Sequence, residues 1–257
     1  MQRSKIMINF LKGSCYTRRI LLSILILALF VAASSCTNPA APCQCDHDSV
    51  AEPDPKPDET SNGFRIVLDA GHGGPLPGTD GFGNEALGRK EKDDNLRMVL
   101  AVGPKLKAYK FEVFYTRTED VAVSLADRAS FANLVDAHAV VSIHRNYYSG
   151  ASIGGLETYV YKAQGATTGE LESNSGAGFL ARKIQQKIIA AVQMFSNRGV
   201  KQDNYLLLRE TNMPAVHIEL GFIQNVSDNQ YFDEYFDEIA QAIADAIAES
   251  FGIPLHN

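Results

Sequence analysis

Residues 64–74 read FRIVLDAGHGG. Phe64–Asp69 is a short β-branched run that ends at Gly71, which predicts a strand running into a glycine-rich turn. Working outward, Lys92–Tyr109 places Leu96, Val99, Leu100, Val102 and Leu106 at helical spacing, with Gly103-Pro104 as a possible kink. Phe111–Thr116 predicts a strand. Ser124–Val135 predicts a helix with Ser124 as N-cap and Asp127 in its first turn. Ala139–His144 (AVVSIH) reads as a buried strand and Leu156–Tyr161 as a half-exposed one. Gly165–Gly178 is a Gly/Ser/Thr-rich loop, and Phe179–Phe195 is an amphipathic helix through Leu180, Ile184, Ile188 and Val192. Tyr205–Leu208 and Ala215–Leu220 read as strands. Phe232–Phe251 is the closing helix, with Ile239, Ile243 and Ile247 inward and Gly252 ending it. Strands alternating with helices predict one α/β domain over residues 64–257, with a twisted, mainly parallel sheet and helices on both faces.

The segment before it has a different composition. Residues 1–35 contain Arg3, Lys5, Lys12, Arg18 and Arg19 and no acid, which leaves a formal −11 from Cys36 onward out of the whole-chain −6. An acidic body excludes a nucleic-acid protein, and 45% hydrophobic residues exclude a disordered chain. Ile20–Ala33 is an apolar run shorter than the about 20 residues of a spanning helix, so residues 1–35 predict an export signal of the lipoprotein type. Ser34-Ser35-Cys36 is similar to a lipobox, with Ala33 where Leu is usual, and makes Cys36 the lipidation site. Arg18-Arg19 loosely resembles a twin-arginine signal, but the very apolar core favours the general secretory route. Residues 36–63 form a Pro-rich acidic tether. Cys43, Cys45 and His47 offer too few fixed ligands there for a metal, and the alternative is oxidation of the two cysteines to each other or to a partner chain. Beyond Gly63 there is no Cys, so the domain uses neither disulfides nor thiolate ligands. The expected location is the cell envelope, exported and held by lipid, at the outer membrane facing the periplasm. No nucleic-acid partner is expected, and the domain is expected to be a monomer.

The chemistry gathers at strand ends, where open α/β sheets place their ligands. The first strand ends in Asp69 and His72, the second in Ser142, His144, Arg145 and Asn146, and the third carries Glu219. Glu91 opens the long helix. Two imidazoles and a carboxylate are a ligand set for a catalytic zinc with a fourth position open to water, and a second carboxylate then suits a general base. Each residue alone has a plainer explanation: a turn histidine bonds its own loop, and a glutamate in a first helical turn complements the dipole. Glu85 competes with Glu91, but a helix start holds a ligand more rigidly than a Gly-flanked loop.

Residues 64–252 resemble the catalytic domain of the zinc-dependent N-acetylmuramoyl-L-alanine amidases, the Amidase_3 family. The similarity runs in order through IVLDAGHGG, RKEKDDNL, YTR, SLADRASFAN, VVSIHRN and RGVKQDNYLLLRETNMPAVHIELGFIQN. The resemblance implies a peptidoglycan hydrolase that cuts the amide between N-acetylmuramic acid and L-alanine of the stem peptide. It implies one Zn²⁺ on His72, Glu91 and His144, with Glu219 as catalytic base. A wall-binding lipoprotein without chemistry, or a zinc peptidase acting within the stem peptide, are the alternatives. Asp69, Asp93 and Asn95 lie near enough in sequence to orient the ligands. The chain departs from the family in three places. Arg145 replaces a small residue and is expected, with Asn146, to contact substrate, either narrowing the cleft or gripping a carboxylate bidentately; an exposed arginine at a loop rim is the alternative. His217 replaces an aliphatic; strand alternation puts it on the side of Glu219, and a satisfied core histidine is preferred to a partner of that carboxylate. The long helical insertion that blocks the zinc in some cell-division members is missing, since Gly165–Gly178 has too few large apolar residues to form a plug. The domain is therefore expected to work without an activator.

Overall fold

In the computed structural model the described residues are 61–75, 81, 83–84, 88–162 and 176–255. They all fall in the unit Pro53–Asn257, and the unit Met1–Glu52, which holds Cys36, Cys43, Cys45 and His47, lies outside them. Glu85 and most of the Gly165–Gly178 loop also lie outside them.

Strand β1 (Arg65–Ala70) is the predicted opening strand, with Ile66, Val67, Leu68 and Ala70 wholly buried. Such a continuous apolar run fits a strand covered on both faces. A short ribbon, β2 (Gly83–Asn84) and β3 (Arg89–Lys90), leads into helix α1 (Glu91–Ala108). Strand β4 (Glu112–Tyr115), helix α2 (Leu125–Leu134), strand β5 (Ala139–Asn146) and strand β6 (Leu156–Tyr161) follow. The chain closes with α3 (Gly176–Ala191), β7 (Asn197–Asp203), α4 (Leu206–Glu210), β8 (Ala215–Phe222), α5 (Val226–Glu234) and α6 (Phe236–Ser250).

The six-stranded sheet has the order β4-β1-β5-β8-β6-β7. Neighbours are parallel except at β8–β6, so β6 and β7 run against the other four. Alternation along the strands sorts the core. Ile66, Leu68, Val141 and Ile143 face α1, α3 and α6, and Val67, Val140 and Ala215 face α2 and α4. The chain leaves β1 for β4 on one side, then crosses to β5 on the other. The carboxyl ends of β1 and β5 therefore form the topological switch point where α/β sheets open a crevice.

Several boundaries differ from the sequence expectation. Tyr205–Leu208 is not a strand: Tyr205 caps α4, and Leu207 and Leu208 bury into the α2 side, since a short apolar run does not tell helix from strand. The edge strand β7 was not expected, because NRGVKQD lacks an apolar alternation. The closing helix breaks at Tyr235 into α5 and α6. Strand β6 is mostly buried rather than half exposed, because it lies inside the sheet between β8 and β7. Pro104 sits within α1 without ending it, and Gly103 beside it lets the helix close on β4, since a Cβ there would collide with Tyr115 Oη.

Candidate active site

The turn after β1 brings His72 over the end of β5. His72 adopts φ 59°, a left-handed conformation uncommon outside glycine, flanked by Gly73 and Gly74 at φ 124° and 92°. Gly71 is required by contact: a Cβ there would fall inside the His144 ring. Glu91, the first residue of α1, turns inward and is 2% exposed. His72 Nε2 lies 3.2 Å and His144 Nδ1 2.9 Å from Glu91 Oε1, and the donor atoms of the three residues all fall within 4.8 Å of one another. Ligands about 2.0–2.1 Å from a tetrahedral zinc stand about 3.4 Å apart, so this donor set fits that ion with one position to spare. Burial pushes the Glu91 carboxyl up, but hydrogen bonds with His144 and His72 outweigh it and hold the group well below the usual carboxylate range. Burial, aided by nearby His217, pushes His144 down, which favours the neutral ring that binds metals.

Two buried arginines hold the turn. Arg128 Nη1 donates to Asp69 Oδ1 and to the Ala70 carbonyl, both at 2.6 Å, and Nη2 to the His72 carbonyl at 2.6 Å. Arg117 donates to the carbonyls of Ala70, Gly71 and Lys92 at 2.8–2.9 Å, which ties the turn to α1. Asp69 accepts from Ser142 Oγ and Thr116 Oγ1 as well, at 2.6 Å each. It therefore supports His72 through Arg128 and not by touching a ligand. Asn95 does touch one: its Nδ2 lies 3.4 Å from Glu91 Oε1 and 3.2 Å from the Gly71 carbonyl. Asp93 is exposed and takes no part. Sequence reasoning gave Arg117 and Arg128 no role, since a lone arginine is ordinarily solvated. Their burial depends on carbonyls that only the folded turn presents.

The Arg145 side chain, expected to contact substrate, is turned away from the cleft. Its neighbour His144 faces the cleft, so alternation along β5 sends Arg145 to the opposite face. Its side chain is 0% exposed, Nη1 lies 2.5 Å from an Asp94 oxygen and Nη2 2.6 Å from Asn229 Oδ1, and the guanidinium lies 4.3 Å from the Phe232 ring centroid. It is a buried strut between β5, α1 and α5. Asn146 lines the cleft, with Nδ2 donating to Glu157 Oε2 at 2.9 Å.

On β8, in register with His144 of β5, stands Glu219, 9% exposed and outside the converging triad. His217 is no isolated core histidine: its Nε2 lies 2.8 Å from Glu219 Oε1. Glu219 Oε2 is buried without a hydrogen-bond partner among the described residues. The cleft itself is a cavity of about 760 Å³ whose floor is the triad and whose wall includes Tyr205, Leu206 and Leu207. Burial and the Glu219 charge push the Tyr205 phenol up to about 12, so it remains a hydrogen-bond donor at working pH.

The chain is similar to known cell-wall amidases in sequence and fold. Over 166 residues the chain is 38% identical to a sporulation-specific N-acetylmuramoyl-L-alanine amidase of Bacillus subtilis, a match that spans 64% of this chain and 58% of that protein. It is 34% identical to a probable cell wall amidase, LytH, of Staphylococcus aureus over 65% of this chain and 50% of the relative. The chain thus spans little more than half the length of these relatives. Its fold superposes on the crystal structure of an N-acetylmuramoyl-L-alanine amidase from Clostridium difficile 630 with a TM-score of 0.66 and 34% identity, covering 75% of this chain and 98% of that one. Residues 66–249 match the model of the Amidase_3 family, described as N-acetylmuramoyl-L-alanine amidase, and the chain belongs to that family.

Proposed function

We propose that this chain is a zinc-dependent peptidoglycan amidase that hydrolyses the amide between N-acetylmuramic acid and L-alanine of the stem peptide. The observation that carries the proposal is the convergence of His72, Glu91 and His144 in one cleft, beside a buried carboxylate with one oxygen unpartnered among the described residues. Zinc held by the three residues would supply, when bound, a Lewis acid for the scissile carbonyl and a water acidified to near neutrality. Glu219 Oε2 takes the proton of the attacking water and passes it to the leaving amine of L-alanine. The Tyr205 phenol, on the wall of the same cleft, donates a hydrogen bond to the substrate side. Asn146 borders the path of the stem peptide.

Export and lipidation at Cys36 complete the proposal. They are supported by the basic start, the apolar run and the small residues before Cys36, and by the cell-wall activity named for the relatives. The enzyme would then act from a membrane anchor at the outer membrane on wall facing the periplasm, as a monomer. Cys36→Ser should release soluble protein or leave an uncleaved precursor, and unchanged membrane retention would refute the anchor. The activity is tested by digesting purified cell wall with the zinc-loaded protein and identifying the new chain ends by mass spectrometry. Free L-alanine amino termini on intact stem peptides are expected. Cuts within the stem peptide would instead make it a zinc peptidase, and no product at all would make it a wall-binding protein.

A further inference from the structure

We propose that His217 is a positioning residue for the general base: its imidazole pins one oxygen of Glu219 and so fixes which oxygen is left to accept the proton. The inference rests on the assignment of Glu219 as base. The terminal torsion of a glutamate is broad and about two-fold, so backbone and packing leave its carboxylate free to swing. A base must instead be held within about 0.5 Å and 10–20° of its productive position. On β8 the residue two places away points to the same face, and that residue is His217. A carboxylate only accepts, so the 2.8 Å contact to Glu219 Oε1 is a bond donated by Nε2–H. The consequence shows in the partner oxygen: Oε2 is buried with nothing to bond among the described residues. A buried unsatisfied oxygen is costly, and it persists where a substrate group is to occupy it.

The imidazole is itself held. It stacks on the His144 ring at 4.2 Å between centroids with a 24° tilt, and Tyr205 covers it at 4.8 Å. Tyr159 meets it edge-on at 6.0 Å, and Tyr159 is fixed in turn by a 2.6 Å bond from its hydroxyl to Glu157. The stack sets base and ligand in one block, so that His144 and Glu219 keep their separation as the cleft fills. An aliphatic side chain at 217 fills the space but donates nothing, and Glu219 would then choose between two orientations.

The test compares three substitutions in the zinc-loaded protein acting on purified peptidoglycan. His217→Phe keeps a ring for stacking and removes the donor. His217→Leu removes both, and His217→Gln returns an N–H near the position of Nε2. The expected result is a 10- to 100-fold fall in kcat for the Phe and Leu variants, the scale of a misplaced catalytic group, with KM and zinc content unchanged. The Gln variant should recover most of kcat. Full kcat in the Phe variant would overturn the proposal, because stacking alone would then suffice. So would zinc loss in the Phe variant, which would place the role of His217 at His144, and so would a loss in all three variants that appears in KM alone. Glu219→Gln is the control for the underlying assignment. If it retains activity, Glu219 is not the base and the proposal falls with it; if it is inactive while His217→Phe is unimpaired, the positioning role alone is wrong.

Discussion

The His72–Glu91–His144 cluster and the neighbouring Glu219 are held on different principles. The ligand side is cross-braced. His72, Glu91 and His144 come from a turn, a helix start and a strand end, and Arg117, Arg128, Asn95 and the Arg145–Asp94 pair tie those three elements together. The base side is spare. Among the described residues Glu219 has one side-chain anchor, the His217 ring, and one buried oxygen without a partner. A metal ligand must not move, so its surroundings supply many redundant bonds. A base must give and take a proton within each cycle, so its surroundings hold it once and leave the rest of its bonding to substrate.

The largest effect should come from removing a ligand. Glu91→Ala is expected to abolish zinc binding and reduce hydrolysis to background, whereas Glu85→Ala should retain both; metal analysis of the two purified variants decides between them. Zinc kept in the first and lost in the second would move the ligand to the loop. Next in size is the base itself. Glu219→Gln should keep fold and zinc and lose roughly 10²–10⁴-fold in rate, the usual scale of general acid–base catalysis. Loss of metal in this variant would mean that Glu219 belongs to the braced side.

Breaking the bracing should act on stability before chemistry. Arg128→Ala leaves Asp69 buried without its charge partner and takes the Arg128 donor from the His72 carbonyl, a change worth about 3–5 kcal/mol. Thermal unfolding should shift down accordingly, and zinc affinity should fall about 10- to 100-fold through the loosened His72 turn. Arg145→Met should also lower the melting temperature while leaving KM unchanged, since its guanidinium never reaches the cleft. A raised KM with unchanged stability would restore Arg145 to substrate binding.

The smallest effect is one of pH. Burial pushes the Asp69 carboxyl up, but Arg128, Ser142 and Thr116 together hold it below its ordinary value. A carboxylate lowered in the folded state contributes stability that is present above its unfolded pKa, about 3.9, and is lost as pH falls toward the folded value. Unfolding of the metal-free protein should therefore steepen below about pH 4, and Asp69→Asn should flatten that acid limb. An unchanged limb would assign the acid sensitivity to other carboxylates.

Much of the site was legible because its grammar is local. FRIVLDAGHGG announces a strand and a turn through its own residues, and His144 and Glu219 stand at the ends of apolar runs that can hardly be anything but buried strands. The N-cap at Ser124 was equally readable, and its side chain accepts from the Asp127 backbone as expected. What failed was whatever needed a neighbour from elsewhere in the chain. YLLL reads as a strand because its apolar character is right for either state, and only its packing against α2 makes it helical. The polar β7 exists because β6 offers it an edge.

The chain by itself thus determined the α/β alternation and the strand ends that gather polar side chains, and it supplied the candidates His72, Glu91, His144 and Glu219, because periodicity, turn chemistry and side-chain type are properties of short segments. Tertiary structure alone decided which charged groups go inside. Arg117 and Arg128 are buried because the turn after β1 exposes carbonyls to them, Arg145 because Asp94 and Asn229 await it on the far face of β5, and His217 meets Glu219 between two other rings. Burying a polar group is favourable only when its partners are already in place. Those partners lie tens of residues away in sequence, and folding is what brings them within reach.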